Sequence, residues 1–348
     1  MKIVIVGLVY LFLVFNRCAA FDQIQSENEI FNNWISKGKA IKSFRVEWTE
    51  TNRDLMRETS TPEKTVEYVL KKKLIVLDSN LRYEFVGKQF DGTILRDVDS
   101  VSVFSENQNR ELRSEHEYPN GMIRGLESVT PGMKVVNTLP ILASLRPVDR
   151  RLGRLAGVRS VGARGVLVRS NKCTEIKFGE KTTVWMSEDV AMPIRIVTFS
   201  AGKVARQYDL KYLRKGEHDL LSSWTIESPT IGSSVSAEVS SFVVNDPSIR
   251  KDLFSLEFPI GTRVTDMSNG STSKTVQNFI VRENGERRAI LKTERGATYD
   301  QLLKTESGKA LEGSYKGFTR SRIVLGVGIL FVVSVVSICV FKSLRSKG

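Results

Sequence analysis

The chain has 348 residues and a formal net charge of +13, with 52 lysines and arginines against 39 acidic residues. Its 41% hydrophobic and 26% charged residues are ordinary for a folded protein and exclude a disordered or collagen-like chain. Three cysteines are too few for a disulfide framework, and two histidines disfavour a multi-histidine metal site.

An apolar segment at the N-terminus has the form of a secretory signal peptide. Lys2 precedes an apolar run of 13 residues, 3–15, which has the length of a signal-peptide core and is short for crossing a bilayer. Residues 18–20 then supply the small side chains that a signal peptidase reads. We therefore predict a signal peptide over residues 1–20; an uncleaved membrane anchor is the alternative.

A second apolar segment near the C-terminus is long enough to span a membrane. Residues 323–341 carry no charge, and this helix would rise about 28 Å, close to the roughly 30 Å hydrocarbon core. A buried core helix is the alternative, although such a helix is seldom apolar on every face. The prediction is a single-pass membrane protein with residues 21–322 in the periplasm or at the cell surface and a short cytoplasmic tail, 342–348.

The exported part opens with one helix and continues with strands. Ser26 and Glu29 match a capping box, which predicts a helix that ends near Gly38. Residues 44–50 alternate apolar and polar side chains, as a half-buried strand does. Shorter strand-like runs and one short helix follow; the strands are predicted at 68–70, 74–77, 81–86 and 101–104 and the helix at 138–145.

An arginine- and glycine-rich insert, about 146–169, interrupts the strands. It contains a single acid, and its composition is compatible with a linker, a lid or a surface that meets anionic lipid headgroups; a solvated loop is the alternative. The residues assigned to headgroup contact are Arg146, Arg150, Arg151 and Arg154.

After the insert, strand-like runs recur about every ten residues, the spacing of an antiparallel meander. They are predicted at 173–178, 183–186, 194–199, 204–213, 223–226, 234–244 and 254–258, with a further hairpin over 278–291. Few helices interrupt them, so parallel βαβ units are not expected. The fold class predicted is mainly β (α+β), with a large curled antiparallel sheet, a few helices and the C-terminal transmembrane helix.

Residues that carry common catalytic chemistry are sparse. His116 and His218 lie far apart and match neither a zinc-site spacing nor a nucleophile elbow. Cys173, the lone cysteine of the exported part, is interpreted as a small buried hydrophobe, with an intermolecular disulfide as the alternative. We therefore expect no enzyme, no cofactor, no metal and no nucleic-acid partner, while a carboxylate pair brought together in space stays open.

Three short pieces of the sequence resemble a known superfamily. Residues 254–266, Phe-Ser-Leu-Glu-Phe-Pro-Ile-Gly-Thr-Arg-Val-Thr-Asp, resemble the closing strand of the LolA/LolB-like outer-membrane lipoprotein carriers. The hairpin over 184–196, with Trp185 before the turn and Pro193 after it, and the strand 44–48 that follows the opening helix are similar to other parts of that family. Together the pieces cover about residues 26–266.

The resemblance implies an incomplete antiparallel barrel capped by helices, over residues 21–266, followed by a terminal hairpin and stalk over 267–322. The concave apolar face of that family holds acyl chains, in lipoprotein carriers, related lipid binders and envelope-stress sensors. Plain core packing is the alternative for each residue proposed to line this lumen. These candidates are Phe44, Val46, Trp48, Tyr83, Phe85, Trp185, Tyr208, Tyr212 and Trp224.

The function expected from the resemblance is non-enzymatic binding of lipid or lipoprotein acyl chains by a half-barrel tethered to the membrane. A shuttling carrier has to diffuse, so the predicted anchor favours a fixed binder over a shuttle. The alternative is a receptor or regulatory ectodomain that binds a protein partner, in the manner of an envelope-stress sensor. Its tail of seven residues, 342–348, is too short to signal alone, so the partner, a membrane protein for example, would carry the signal.

Overall fold

The computed structural model describes residues 29–56, 64–90, 92–105, 109–115, 124–128, 139–145, 155, 159–267, 277–294, 297 and 301–302. The predicted signal peptide, the capping serine, the four headgroup arginines, the stalk and the C-terminal transmembrane helix lie outside these residues. Within the described ranges, no helix has both the length and the apolar character needed to cross a membrane.

Within the described residues, seventeen strands form a single sheet. The first six follow one another as an antiparallel meander, in which each strand pairs with the next. They are β1 (Ser43–Met56), β2 (Lys64–Leu77), β3 (Asn80–Phe90), β4 (Leu95–Phe104), β5 (Asn109–Glu115) and β6 (Arg124–Ser128).

A second antiparallel series returns the chain to β1. Two short strands, β7 and β8, lie along β9, and the strands from β9 to β14 then pair in order. Because β14 pairs with β1, the first strand lies between β2 and β14. The bounds are β7 (Arg159–Val161), β8 (Val166–Val168), β9 (Asn171–Phe178), β10 (Thr182–Ser187), β11 (Pro193–Ser200), β12 (Lys203–Lys215), β13 (His218–Ser228) and β14 (Ser233–Val244).

Three C-terminal strands extend the other side of the sheet. β15 (Arg263–Asp266) pairs in parallel with β6, and β16 (Gln277–Val281) and β17 (Arg287–Ala289) follow antiparallel. A 3₁₀ turn over Glu283–Gly285 joins β16 to β17, which confirms the hairpin predicted there. The result is one large open curled sheet, mainly β with few helices, as the sequence predicts.

The alternation of β1 gives the sheet two chemically different faces. Phe44, Val46 and Trp48 are at most 1% exposed and define what we call the inner face. Arg45 and Glu47 lie between them in sequence and define the outer face, since successive side chains of a strand point to opposite sides. The pairing of β1 with β14 shifts between Glu47 and Trp48, and such a bulge bends a strand and increases the local twist.

Two helices pack on the inner face. Helix α1 covers residues 29–40, and α2 is Leu139–Leu145, the short helix predicted from the sequence. Phe31 and Trp34 of α1 are buried in the main core, and the indole Nε1 of Trp34 donates to the Ser144 carbonyl of α2 at 3.2 Å. The helix continues two residues past Gly38, so the predicted C-terminal end is slightly early.

The strand predicted at 254–258 is wrong. The chain forms a 3₁₀ turn, Lys251–Phe254, and then an extended segment that pairs with no strand. Phe254 and Leu256 pack against Ile75 and Val103 on the outer face, and arginines supply the donors that a neighbouring strand would have given. Arg82 Nη1 donates to the Leu253 carbonyl at 3.1 Å, and the Leu256 carbonyl accepts from Arg110 Nη1 at 2.9 Å.

Candidate functional site: the inner face of the curled sheet

Four aromatic side chains form a continuous row across the inner face. Trp48 of β1 stacks on Tyr83 of β3 with ring centroids 6.2 Å apart, and it packs against Trp224 of β13 at 5.6 Å. Phe85 of β3 extends the row, 5.6 Å from Tyr83, and is its half-buried member. The alternation of β1 and β3 places these residues on one face, and the curl brings β13 close to them. We call this set the aromatic row.

Most of the other sequence candidates lie in the same cluster. Phe44, Val46 and Tyr208 are buried in the core that contains the aromatic row. Tyr212 packs against that core, and its hydroxyl donates to the Pro193 carbonyl at 2.9 Å. Burial is the main cause that raises the pKa of Tyr212, so its phenol stays protonated at neutral pH.

Trp185 is placed differently from the other eight candidates. Its neighbours in β10, Val184 and Met186, are in the main core, whereas Trp185 packs in a second cluster with Val168 and Cys173. Tyr212 packs against both clusters. A side chain between two inner-face residues of a strand points to the outer face. Burial raises the pKa of the Cys173 thiol in this cluster, so the thiol stays protonated and unreactive.

The two helices contact one side of the inner face. Phe31 of α1 lies 6.2 Å from the ring of Phe178 in β9, and Lys37 forms an ion pair with Asp219 in β13 at 2.8 Å. Ile141 and Leu142 of α2 are buried in the same core. We call this part, built by α1, α2 and strands β9–β13, the helix-covered region.

A buried ion pair lies next to the aromatic row. Glu50 of β1 and Lys72 of β2 are 1% and 4% exposed, and the Lys72 ammonium donates to Glu50 Oε2. The second carboxylate oxygen, Oε1, accepts a hydrogen bond from Trp48 Nε1 at 2.9 Å. Both oxygens of Glu50 are therefore engaged as acceptors, which a buried charge requires.

Register places this pair in the centre of the inner face. Lys72 stands opposite Trp48 on one side and Phe85 on the other. Glu50 stands opposite Ala237 of β14, and Ala237 stands opposite Trp224 of β13. A charged pair is thus enclosed by aromatic rings rather than by water.

Buried donors without a hydrogen-bond partner surround the ion pair. They are the side-chain amide Asn52 Nδ2 and the indole Trp224 Nε1, in residues 6% and 2% exposed. The hydroxyl of Ser100 on β4 also has no partner. We call Trp48, Glu50, Asn52, Lys72 and Trp224 the charged cluster.

Two tyrosines near the charged cluster stay neutral. Burial, followed by the charge of Glu50, raises the pKa of Tyr83 well above its ordinary value. The pKa of Tyr68 is raised by burial and by its hydrogen bond to Asp54 Oδ2, at 2.8 Å. Both phenols therefore remain protonated donors at neutral pH.

A groove of about 720 Å³ lies over strands β1 to β4 and reaches Ser240 of β14. Lys73 and Glu47 pair in it at 3.5 Å, so its charges are partly cancelled. The other residues that line the groove are Trp48, Thr49, Lys71, Lys72, Glu84, Phe85, Val86, Asp99, Val101 and Ser240. The groove therefore borders the aromatic row and the buried ion pair at Trp48, Phe85 and Lys72. Because most of its lining is polar and mixed in charge, it suits an apolar ligand less well than the aromatic row does.

The sequence candidates omitted the polar members of the site. Glu50 continues the inner-face alternation of β1, two residues after Trp48, and this position was a detectable signal. Lys72 was hidden in a run of three lysines that splits the apolar pattern of β2, so two short strands were predicted where one continuous strand forms. In the described part of the chain, no group of three His, Cys, Asp or Glu side chains is arranged to hold a metal ion.

No family model and no curated protein match this chain. Solved structures do match its fold. The chain is similar to a DUF1329 family protein from Desulfovibrio piger, with a TM-score of 0.44 and 8% identity, covering 66% of this chain and 96% of that one. It is also similar to an outer membrane lipoprotein-sorting protein domain from Vibrio parahaemolyticus, with a TM-score of 0.42, 8% identity and coverages of 65% and 95%.

A third similar structure is a LolA superfamily protein from Nitrosomonas europaea. Its TM-score is 0.33 at 8% identity, and the match covers 65% of this chain and 97% of that protein. Members of the superfamily that the sequence motifs resemble are thus among the structural matches. At such identities and TM-scores the likeness concerns the fold, and a function has to be argued from the inner face itself.

Proposed function

We propose that the inner face of the sheet binds an acyl chain of a lipid or lipoprotein, without catalysis. The observation that carries the proposal is the aromatic row, which runs over β3, β1 and β13 beside the charged cluster. Its half-buried end, Phe85, is where an entering chain would make its first contact. Because each buried CH₂ group contributes about 0.8 kcal/mol, a long acyl chain supplies ample affinity through apolar area alone.

The same proposal places residues 21–322 outside the cytoplasm, held at the membrane by residues 323–341. The support is the pair of apolar segments at the two ends of the sequence. A chain fixed at a membrane binds lipid where it is anchored, so the protein would hold or sense acyl chains rather than carry them. Protease accessibility of the full-length protein in intact and in permeabilised cells tests this orientation.

Photo-crosslinking tests the binding proposal. The full-length protein in nanodiscs is exposed to a palmitoyl probe that carries a diazirine in its chain, and labelled peptides are mapped by mass spectrometry. We expect labels on the peptides that contain Trp48 and Phe85. Phe85→Ala should lower the labelling several-fold, because the half-buried ring supplies the first apolar contact.

The matched control is Trp185→Ala, which removes a larger aromatic side chain from the cluster on the outer face. It should leave the inner-face labelling unchanged, and circular dichroism of both variants verifies that the fold persists. Equal loss in both variants, or labels confined to peptides away from the inner face, would contradict the proposal. One stoichiometric protein that co-purifies without lipid would instead favour a receptor ectodomain.

A further inference from the structure

The charged cluster contains more hydrogen-bond donors than acceptors. Both carboxylate oxygens of Glu50 already accept, from Lys72 and from Trp48. The donors that have no partner are Asn52 Nδ2 and Trp224 Nε1, and an indole N–H can only donate. A ligand that completes this cluster therefore has to bring acceptors.

The charges of the cluster cancel. Glu50 and Lys72 form a buried ion pair, so the net charge beside the unpaired donors is zero. Bringing a further ionised group into such a buried place is costly unless it finds an opposite charge of its own. After Lys72, the next cation on the inner face along the sheet is Arg113 of β5. Its Nη2 already donates a hydrogen bond to Gln89 Oε1 at 3.0 Å. A neutral acceptor fits the cluster better than an anion does.

The donors also lie close together on the sheet. Asn52 stands opposite Val235 of β14, and Trp224 stands opposite Ala237 two residues along the same strand. They therefore flank β14 diagonally, and the small side chain of Ala237 lies between Trp224 and Glu50. A carbonyl group entering beside Ala237 would meet donors from both neighbouring strands.

We propose that the charged cluster recognises the uncharged carbonyl of an ester- or amide-linked acyl chain, through Trp224 Nε1 and Asn52 Nδ2. This inference rests on the proposed function and adds the chemical class of the ligand's polar end. The aromatic row holds the chain, and the cluster selects acyl groups in ester or amide linkage over free fatty acids.

Three probes that share one diazirine-bearing palmitoyl chain separate the possibilities. The first ends in a methyl ester, the second in a carboxylate and the third in a plain methyl group. Each is added at the same mole fraction to nanodiscs with the full-length protein, at alkaline pH so that the carboxyl group is ionised. Labelling of the inner face is normalised to labelling of the nanodisc scaffold protein, which corrects for partition into the bilayer. We expect the ester probe to label most.

The decisive variant is Trp224→Phe, which keeps an aromatic ring and removes the N–H. It should lower labelling by the ester about 3- to 10-fold, the value of one hydrogen bond, and leave labelling by the hydrocarbon probe unchanged. Trp185→Phe removes an indole N–H from the outer-face cluster and should affect neither probe. Asn52→Ala provides a second test, with the same ester-selective loss.

The outcomes distinguish the two proposals. Absence of inner-face labelling by all three probes would overturn the acyl-binding function itself. Equal labelling by ester and hydrocarbon, with no effect of Trp224→Phe, would leave acyl binding intact and overturn the carbonyl site. Preferential labelling by the carboxylate probe would also overturn it, since the cluster would then accept an anion.

Discussion

The helix-covered region and the charged cluster occupy the same inner face, yet they are built from different chemistry. Where the two helices meet, buried polar groups have partners within the protein: Trp34 Nε1 donates to the Ser144 carbonyl and Ser144 Oγ to the Ile141 carbonyl. In the charged cluster an ion pair is buried between tryptophans, and two donors have no partner. Buried polar groups in proteins are normally hydrogen-bonded, so the second arrangement points to function rather than to stability.

This contrast indicates how one sheet serves two purposes. Apolar side chains from α1 and α2 pack in the core with strands β9–β13 and stabilise the fold. Strands β1 to β3, together with Trp224 of β13, present the aromatic row and the charged cluster. Four substitutions test how far function and stability are separable along the sheet.

The largest effect is expected from Lys72→Met. Removal of the ammonium leaves the Glu50 carboxylate buried without its counter-charge. This should lower the free energy of unfolding by about 3–5 kcal/mol. The double variant Glu50→Leu/Lys72→Met removes both charges and should recover most of the loss. Chemical denaturation followed by circular dichroism measures both. A single variant as stable as the double would contradict the buried ion pair.

The next largest effect is expected from Ile141→Ala in the helix-covered region. Ile141 of α2 is fully buried, and the loss of its side chain should lower the free energy of unfolding by about 2–4 kcal/mol. Acyl-probe labelling of the molecules that remain folded should be unchanged, because Ile141 is not part of the aromatic row. Leu167→Ala is the control: Leu167 is 70% exposed, so its removal should alter stability by less than about 0.5 kcal/mol.

A smaller effect is expected from Gly87→Ala in β3. Gly87 has φ +143°, and a Cβ there would lie 2.4 Å from the Val69 carbonyl oxygen of β2. Strain of this kind costs about 1–3 kcal/mol, and it would push β3 away from β2 beside Phe85. Gly202→Ala serves as the control, because Gly202 also has a positive φ, +73°, but open space around it. Similar thermal shifts in the two variants would show that the close contact with Val69 has no effect.

The smallest effect is a pH dependence in the helix-covered region. Burial of Asp219 opposes its ionisation, but hydrogen bonds from Lys37 and Arg214 outweigh burial and lower the pKa of Asp219. A lowered pKa in the folded state stabilises the protein above the pKa of the unfolded state, about 3.9, and this stabilisation is lost as the pH falls through the folded value.

Asp219→Asn should therefore be less stable than the wild type at neutral pH, and the difference should vanish in strong acid. Unfolding of both proteins between neutral pH and about pH 2 measures it. The effect is small because Arg214 is largely exposed and solvent screens its charge. A difference in stability that is constant over the whole range would show that the carboxylate charge does not contribute.

Much of the fold follows from short-range patterns. The alternation over residues 44–50 predicted β1, and the regular spacing of strand-like runs predicted the meander from β9 to β14, because a half-buried strand shows its two faces directly in the sequence. Two errors had one cause. Residues 254–258 alternate like a strand, but their segment is hydrogen-bonded by arginine side chains instead of a neighbouring strand. The lysines of β2 interrupt the apolar pattern, although Lys72 is buried by its ion pair with Glu50. In both cases the pattern of apolar residues does not show which partner a polar group will find.

The residues of the aromatic row were recognisable in the sequence by type and periodicity, since Trp48, Tyr83, Phe85 and Trp224 each lie in a strand pattern. Their assembly into one row was decided by the tertiary structure, because β14 returns to pair with β1 almost 200 positions later and brings β13 beside it. The same return encloses Glu50 and Lys72 with Asn52 and Trp224. Sequence determined which side chains face inward, through the period of two of a strand; register across distant strands determined which of them meet.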